Sequence, residues 1–246
     1  MHTKTRTHWL VTTGTLALLY SCFVGCSLLR QAEDREIVPQ FDRAKSFNGT
    51  ANLNERELCI ETAKSLATKG HATEAIALYE KAESLESNGQ SFDLELAPLF
   101  AQIGDSETAV ARYESAIASG HADSSTFNNL AWTLMDMGRA DAALEAVGRG
   151  LMVTPDDQRL RSTQAVVLHR KGDRQGALSN FESMYGLSAA HHNMAILEME
   201  AGHTDAAVEH AKLSTQYPNC SRESVALRDA LMSKVAMTTN KSAASK

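Results

Sequence analysis

Residues 124–155 read SSTFNNLAWTLMDMGRADAALEAVGRGLMVTP, and this stretch decides the fold. Phe127, Leu130, Ala131 and Leu134 stand at i, i+3, i+4 and i+7, one face of a helix. Gly138 follows, and glycine enters a left-handed turn without a Cβ penalty. Ala140, Ala143, Leu144 and Val147 then form a second apolar stripe at helical spacing. Pro155 ends the second helix, since it lacks the N–H that a helix interior needs. The stretch predicts a helix, a tight turn and a second helix.

The same order recurs on both sides. Gly70, Gly104, Gly138 and Gly172 are spaced by 34 residues. Five residues after each stands Ala75, Ala109, Ala143 or Ala177, and four further on Tyr79, Tyr113, Val147 or Phe181. A fifth unit carries Gly202, Ala207 and Ala211 at an offset of 30. Small residues at Ala63, Ala97, Ala131 and Ala165 let paired helices approach closely. A fixed period of this length marks a chain of stacked supersecondary units. The missing four residues, close to one helical turn, predict that the second helix of the fourth unit is shortened after Tyr185 and ended by Gly186.

In the second unit the matching residues are Leu96-Ala97, Phe100, Gly104, Ala109, Tyr113 and Ala116; in the third they are Leu130-Ala131, Leu134, Gly138, Ala143 and Pro155. This pattern resembles the tetratricopeptide repeat over about residues 54–217. The resemblance implies an all-α, right-handed solenoid of about five helix-turn-helix repeats, with units at about 56–89, 90–123, 124–157, 158–187 and 188–219. A capping helix is expected over 220–237, with Ser221 as N-cap, because a last unit must cover its open apolar face. The polar stretch 238–246 reads as a disordered tail.

The resemblance also implies that first helices line a concave groove for a protein or peptide partner. Carried over residue by residue, the groove-facing side chains are Lys64, Leu94, Asn128, Trp132, Met135, His169, Arg170, His192 and Met199. Trp132 is either a groove anchor, as tryptophan often is at interfaces, or packing beneath the neighbouring unit. Chaperone-binding members of the family hold a peptide's terminal carboxylate in a Lys/Asn/Arg clamp. Lys64 and Asn128 alone do not reproduce it.

Residues 1–25 differ in character. Lys4 and Arg6 precede an uncharged run from Leu10 to Val24, the n-region and h-region of a secretory signal. The run is short and interrupted by Thr12, Thr13, Gly14 and Thr15, whereas a spanning helix wants roughly 20 apolar residues. Phe23-Val24-Gly25-Cys26 resembles a bacterial lipobox. That resemblance implies lipidation of Cys26, with Cys22 as the alternative; an ordinary signal or an uncleaved anchor is the other reading. Cleavage removes two cations and no acid, taking the formal charge from −6 to −8. Attachment to a bacterial membrane, with the body on the periplasmic side, would then rest on the lipid rather than on a basic patch. Residues 26–53, with the charged run Glu33 to Glu36 and the breaker Pro39, read as a flexible tether.

Composition narrows the function. An acidic balance of 30 Asp+Glu to 24 Lys+Arg disfavours nucleic acid as a partner. Four cysteines in 246 residues make no disulfide framework; Cys59 is expected in the core, and Cys220 near the cap. There is no phosphate-binding loop ending in Lys-Ser/Thr, no Gly-x-Ser-x-Gly elbow and no His-Glu-x-x-His helix. His191 and His192 are adjacent, point in different directions and read as solvated residues rather than metal ligands. His71 and His203, each after a turn glycine, read as exposed corners. No enzyme activity, cofactor, metal or small-molecule substrate is expected. Lipobox, tether and repeats together are similar to tight-adherence (Flp-type) pilus assembly lipoproteins and secretin pilotins. An accessory subunit of an envelope enzyme complex is the alternative.

Overall fold

The computed structural model describes residues 54–85 and 91–243, with side chains through residue 237. The chain divides into two units, Met1–Leu58 and Cys59–Lys246. Cys22, Cys26, the signal segment and the tether lie outside the described residues. In the first unit, Asn54 caps the opening of a helix: Glu57 N donates to Asn54 Oδ1 at 2.8 Å, and Asn54 N to Glu57 Oε2 at 3.1 Å.

Ten helices and no strand occur among the described residues. They are α1 (Glu55–Thr68), α2 (Ala72–Ser84), α3 (Asp93–Gln102), α4 (Ser106–Ala118), α5 (Ser124–Asp136), α6 (Ala140–Val153), α7 (Gln158–Arg170), α8 (Arg174–Glu200), α9 (Thr204–Ser214) and α10 (Arg222–Ala243). Within the second unit α3 packs on α4, α5 on α6, α7 on α8 and α8 on α9. Successive pairs then stack through α4 on α5 and α6 on α7, and the first helices α5 and α7 also touch.

The turn inside each pair repeats one hydrogen-bond scheme. The residue after the glycine donates its N–H five residues back: His71 to Leu66 O, Asp105 to Phe100 O, Arg139 to Leu134 O, Asp173 to Leu168 O and His203 to Glu198 O. This closes the helix end with the intervening residue left-handed. Gly70, Gly104, Gly138, Gly172 and Gly202 hold φ between 73° and 88° there. Gly120 does the same at the end of α4, where His121 N donates to Ala116 O.

Ala63, Ala97, Ala131, Ala165 and Ala195 are completely buried, one per unit. Tyr79, Tyr113, Val147 and Phe181 are buried against them from the second helices. The main core runs continuously from Cys59 to Leu197. A second, much smaller cluster consists of Ala195, Ala207, Ala211 and Leu231, with Val208 and Leu227 packed on it.

The helix of the fourth unit ends after Tyr185 at Gly186 as expected, while the end of the C-terminal helix needs correction. Gly186, at φ 78° and ψ 168°, breaks α8 into two helical arms, 174–185 and 187–200. It alone joins them where residues 154–157 form the connection one unit earlier, so the deletion is taken from the loop as well as from the helix. The C-terminal helix runs on to Ala243, past the expected end at 237, because no Gly or Pro follows Pro218 to stop it. Its opening is capped as the sequence suggests, with Ser224 N donating to Ser221 Oγ at 3.1 Å. No described helix is long and apolar enough to cross a membrane.

Candidate partner-binding groove

Helix α5 carries two opposite faces. At about 100° per residue, Phe127, Leu130, Ala131 and Leu134 share one side, and Ser125, Asn129, Trp132 and Asp136 share the other. The first side is buried in the core, while the second stays accessible. Asp123 fixes where the helix starts: Thr126 N donates to its Oδ1 at 2.9 Å, and Asp123 N reaches Thr126 Oγ1 at 3.4 Å. Burial pushes the Asp123 carboxyl up, but the hydrogen bonds from Thr126 and Ser125 outweigh it and hold the group below its usual range.

The N-terminal half of the accessible stripe lines a pocket of about 270 Å³. Its walls are Leu94, Tyr113, His121, Asp123, Ser125, Thr126 and Asn129. They come from α3, α4, the α4–α5 loop and α5, so the pocket lies at the seam between two repeats. Tyr113 is buried and its hydroxyl hydrogen-bonds Asn129; burial raises its pKa far above the usual phenol value, so the group stays protonated. Pro98 within α3 has no N–H, which leaves the Leu94 carbonyl without its usual helical donor beside this pocket.

The C-terminal half of the stripe carries charge. The Arg170 guanidinium from α7 lies 5.9 Å from the centre of the Trp132 ring and 4.0 Å from Asp136. Asp136, Arg170 and Glu200 hold equivalent places in three successive units, at offsets of 34 and 30 residues. Burial raises both carboxyl groups above their ordinary range, and Arg170 opposes the rise in each. The groove therefore joins a polar pocket, able to meet main-chain amides, to an aromatic ring flanked by alternating charges. Among the described residues no three His, Cys, Asp or Glu side chains are placed to hold a metal ion.

Of the residues expected in the groove, Leu94 lines the pocket, Trp132 stands on the accessible stripe of α5 with Arg170 over its ring, and Met199 is exposed beside Glu200. Lys64 is exposed and pairs with Glu61 on its own helix at 2.9 Å. Asn128, Met135 and His169 do not belong there, being 3%, 4% and 8% exposed. Asn128 and Met135 stand at about 100° and 80° from Phe127, on the side of α5 turned toward α7. Asn128 Oδ1 accepts from Thr163 Oγ1 at 2.7 Å, and Met135 is part of the core. His169 turns inward to Glu198 at 3.0 Å. His192 is partly buried against α10, its Nδ1 3.1 Å from Ser224 Oγ. His191 is buried rather than solvated, and His203 reaches back to Glu198 at 2.7 Å. Asn129, Tyr113 and the α4–α5 loop were not expected in the groove. The spacing of Ser125, Asn129, Trp132 and Asp136 at i, i+4, i+7 and i+11 is the signal that marks α5's share.

Residues 90–192 match the family model described as Tetratrico peptide repeat. The fold is a tetratricopeptide-repeat solenoid. Solved structures agree with it at the level of the fold. A tetratricopeptide repeat protein from Parabacteroides merdae ATCC 43184 superposes with a TM-score of 0.58 at 17% identity, covering 77% of each chain. MamA protein gives 0.53 at 17% identity, covering 66% of this chain and 91% of its own. YrrB, described as a TPR protein with an unusual peptide-binding site, gives 0.50 at 19% identity, covering 70% and 90%. No curated protein matches the chain.

Proposed function

We propose that this tetratricopeptide-repeat chain is a lipid-anchored scaffold of the bacterial cell envelope that holds a segment of a protein partner along α5. The observation that carries the reading is the continuous stripe of Ser125, Asn129, Trp132 and Asp136, with a pocket at one end and Arg170 at the other. Trp132 and Arg170 are the residue types that anchor interfaces. A partner's backbone would meet Asn129, Ser125 and Asp123, and one of its side chains would cover the Trp132 ring. The YrrB neighbour, described as having a peptide-binding site, supports a peptide as the occupant of such a fold.

Cys26 would take the lipid, with Cys22 as the alternative acceptor, and residues 26–53 would give the solenoid reach from the membrane. Assembly of a pilus or secretion system is the envelope process this arrangement fits. Labelling cells with a fatty acid tests the anchor: Cys26→Ala should abolish the label, and unchanged labelling would remove Cys26 as acceptor. Partner capture by wild type and by Trp132→Ala tests the groove; equal capture would reduce Trp132 to packing.

A further inference from the structure

The fifth helical pair, the 187–200 arm of α8 with α9, is held differently from the others. Ala190, Met194 and Leu197 of the arm join the main core, while α9 and the cap are held by a separate small cluster of Ala195, Ala207, Ala211 and Leu231, which offers little area to bury. The slot filled by Leu66, Phe100, Leu134 and Leu168 in the preceding units is filled here by Glu198, at 0% exposure. Arg174, His169 and His203 surround that carboxylate.

At the open end of the same hairpin, far along both helices from the Gly202 turn, His191 Nδ1 lies 2.9 Å from His210 Nδ1. The two rings are 5.1 Å apart by centroid, and Tyr217 stacks on His191 at 6.3 Å. In the second unit the equivalent places hold Asp93 and Arg112, an opposite-charge pair at 3.0 Å. Two facing Nδ1 atoms can share one proton, one donating and one accepting; with both rings fully protonated, both nitrogens are donors and the contact becomes repulsive.

We propose that the His191–His210 contact is an acid-labile latch whose loss splays the 187–214 hairpin from its open end and loosens α10 with it. Titratable groups on α7, α8 and α9 bear on the pair, and on α10 Glu223 faces the adjoining His192. His169 faces it from α7, Glu182 and Glu198 from α8, and Glu209 from α9. The three carboxylates favour protonation, yet burial, and for His210 the neighbouring His191, hold both rings below the usual histidine range. The opened state therefore binds more protons, so the latch is closed above about pH 6.5 and loses strength as pH falls through that value. His192 bonds Ser224 of α10 beside the latch, with Glu223 facing it, which couples the cap to the same end of the hairpin.

Hydrogen exchange on the full chain in detergent, corrected for intrinsic rates, tests this. Peptides from 187–214 should lose roughly tenfold or more of their protection between about pH 7.5 and about pH 5, while 93–153 keep theirs. His210→Gln, which keeps a polar side chain without the second ring charge, should remove the difference. No loss in wild type, or an equal loss in His210→Gln, would overturn the proposal. If His210→Gln does not fold, ring-nitrogen NMR titration of the wild type decides. Two separated steps, the second below the ordinary histidine value, support the latch, and one step near that value overturns it.

Discussion

Thr163 Oγ1 donates to Asn128 Oδ1 at 2.7 Å, and both residues are buried between α5 and α7. The bond joins two first helices that lie one repeat apart, so it sets their register. Its neighbour Asn129, one residue on, faces the pocket instead. A rotation of about 100° separates a stacking residue from a binding residue.

Asn128→Ala should therefore leave the Thr163 hydroxyl buried without its acceptor, costing about 1–3 kcal/mol of stability. Partner capture by the folded fraction should stay at the wild-type level. Urea denaturation with a capture assay separates the two effects. A variant of normal stability that loses its partner would move Asn128 back into the groove.

Trp132→Ala should act mainly on the partner. The ring is partly buried, packing against the core on one side and facing Arg170 on the other, so its truncation should lower the melting temperature as well, by the lost packing and by about 0.5–1 kcal/mol for the Arg170 contact. Partner affinity should fall by roughly tenfold or more, as for truncation of an interface anchor. Calorimetric melting and a binding isotherm check both arms.

Two glycine substitutions should differ in sign. Gly172 holds φ at 88° with open space around it, so Gly172→Ala meets no clash but forces a left-handed alanine, costing about 1–2 kcal/mol. Gly148 lies inside α6 with ordinary φ and equally open surroundings, so Gly148→Ala should stabilise by about 0.5–1 kcal/mol. Melting temperatures of the two variants should lie on opposite sides of wild type.

Glu198 supplies an acid dependence separate from that of the histidine pair. Burial raises its pKa, but hydrogen bonds from Arg174, His169 and His203 outweigh this and bring it to about 2, from 4.5. A carboxyl group lowered on folding contributes stability that is present above the unfolded value and is lost as pH falls through the folded one. Wild type should therefore lose stability between about pH 4.5 and about pH 2, and Glu198→Gln should show a flatter profile in that window. Denaturant midpoints across the range measure it.

The parts of this fold that are legible in the sequence are those set by local chemistry. A left-handed turn requires Gly104 or Gly138, and a close helix crossing requires Ala97 or Ala131, so both recur in phase. The groove is less legible because its walls are shared. Tyr113 reaches the pocket from a second helix and His121 from a loop, and no single helical period joins them to Asn129. Asn128, Met135 and His169 mislead for another reason: each lies beside the groove face of its helix, and only the neighbouring unit decides which side it buries. Glu198 sits in a slot whose period calls for a large apolar residue, so its charge became intelligible only once Arg174 and two histidines were seen around it.

The most direct test of the groove is photo-crosslinking in intact cells from residue 129, with residue 145 on the exposed side of α6 as the control. A groove-held partner should crosslink from 129, not from 145, and the product should disappear when Trp132→Ala is added. Capture from 145 alone, or equally from both positions, would contradict the assignment of the α5 face as the binding surface.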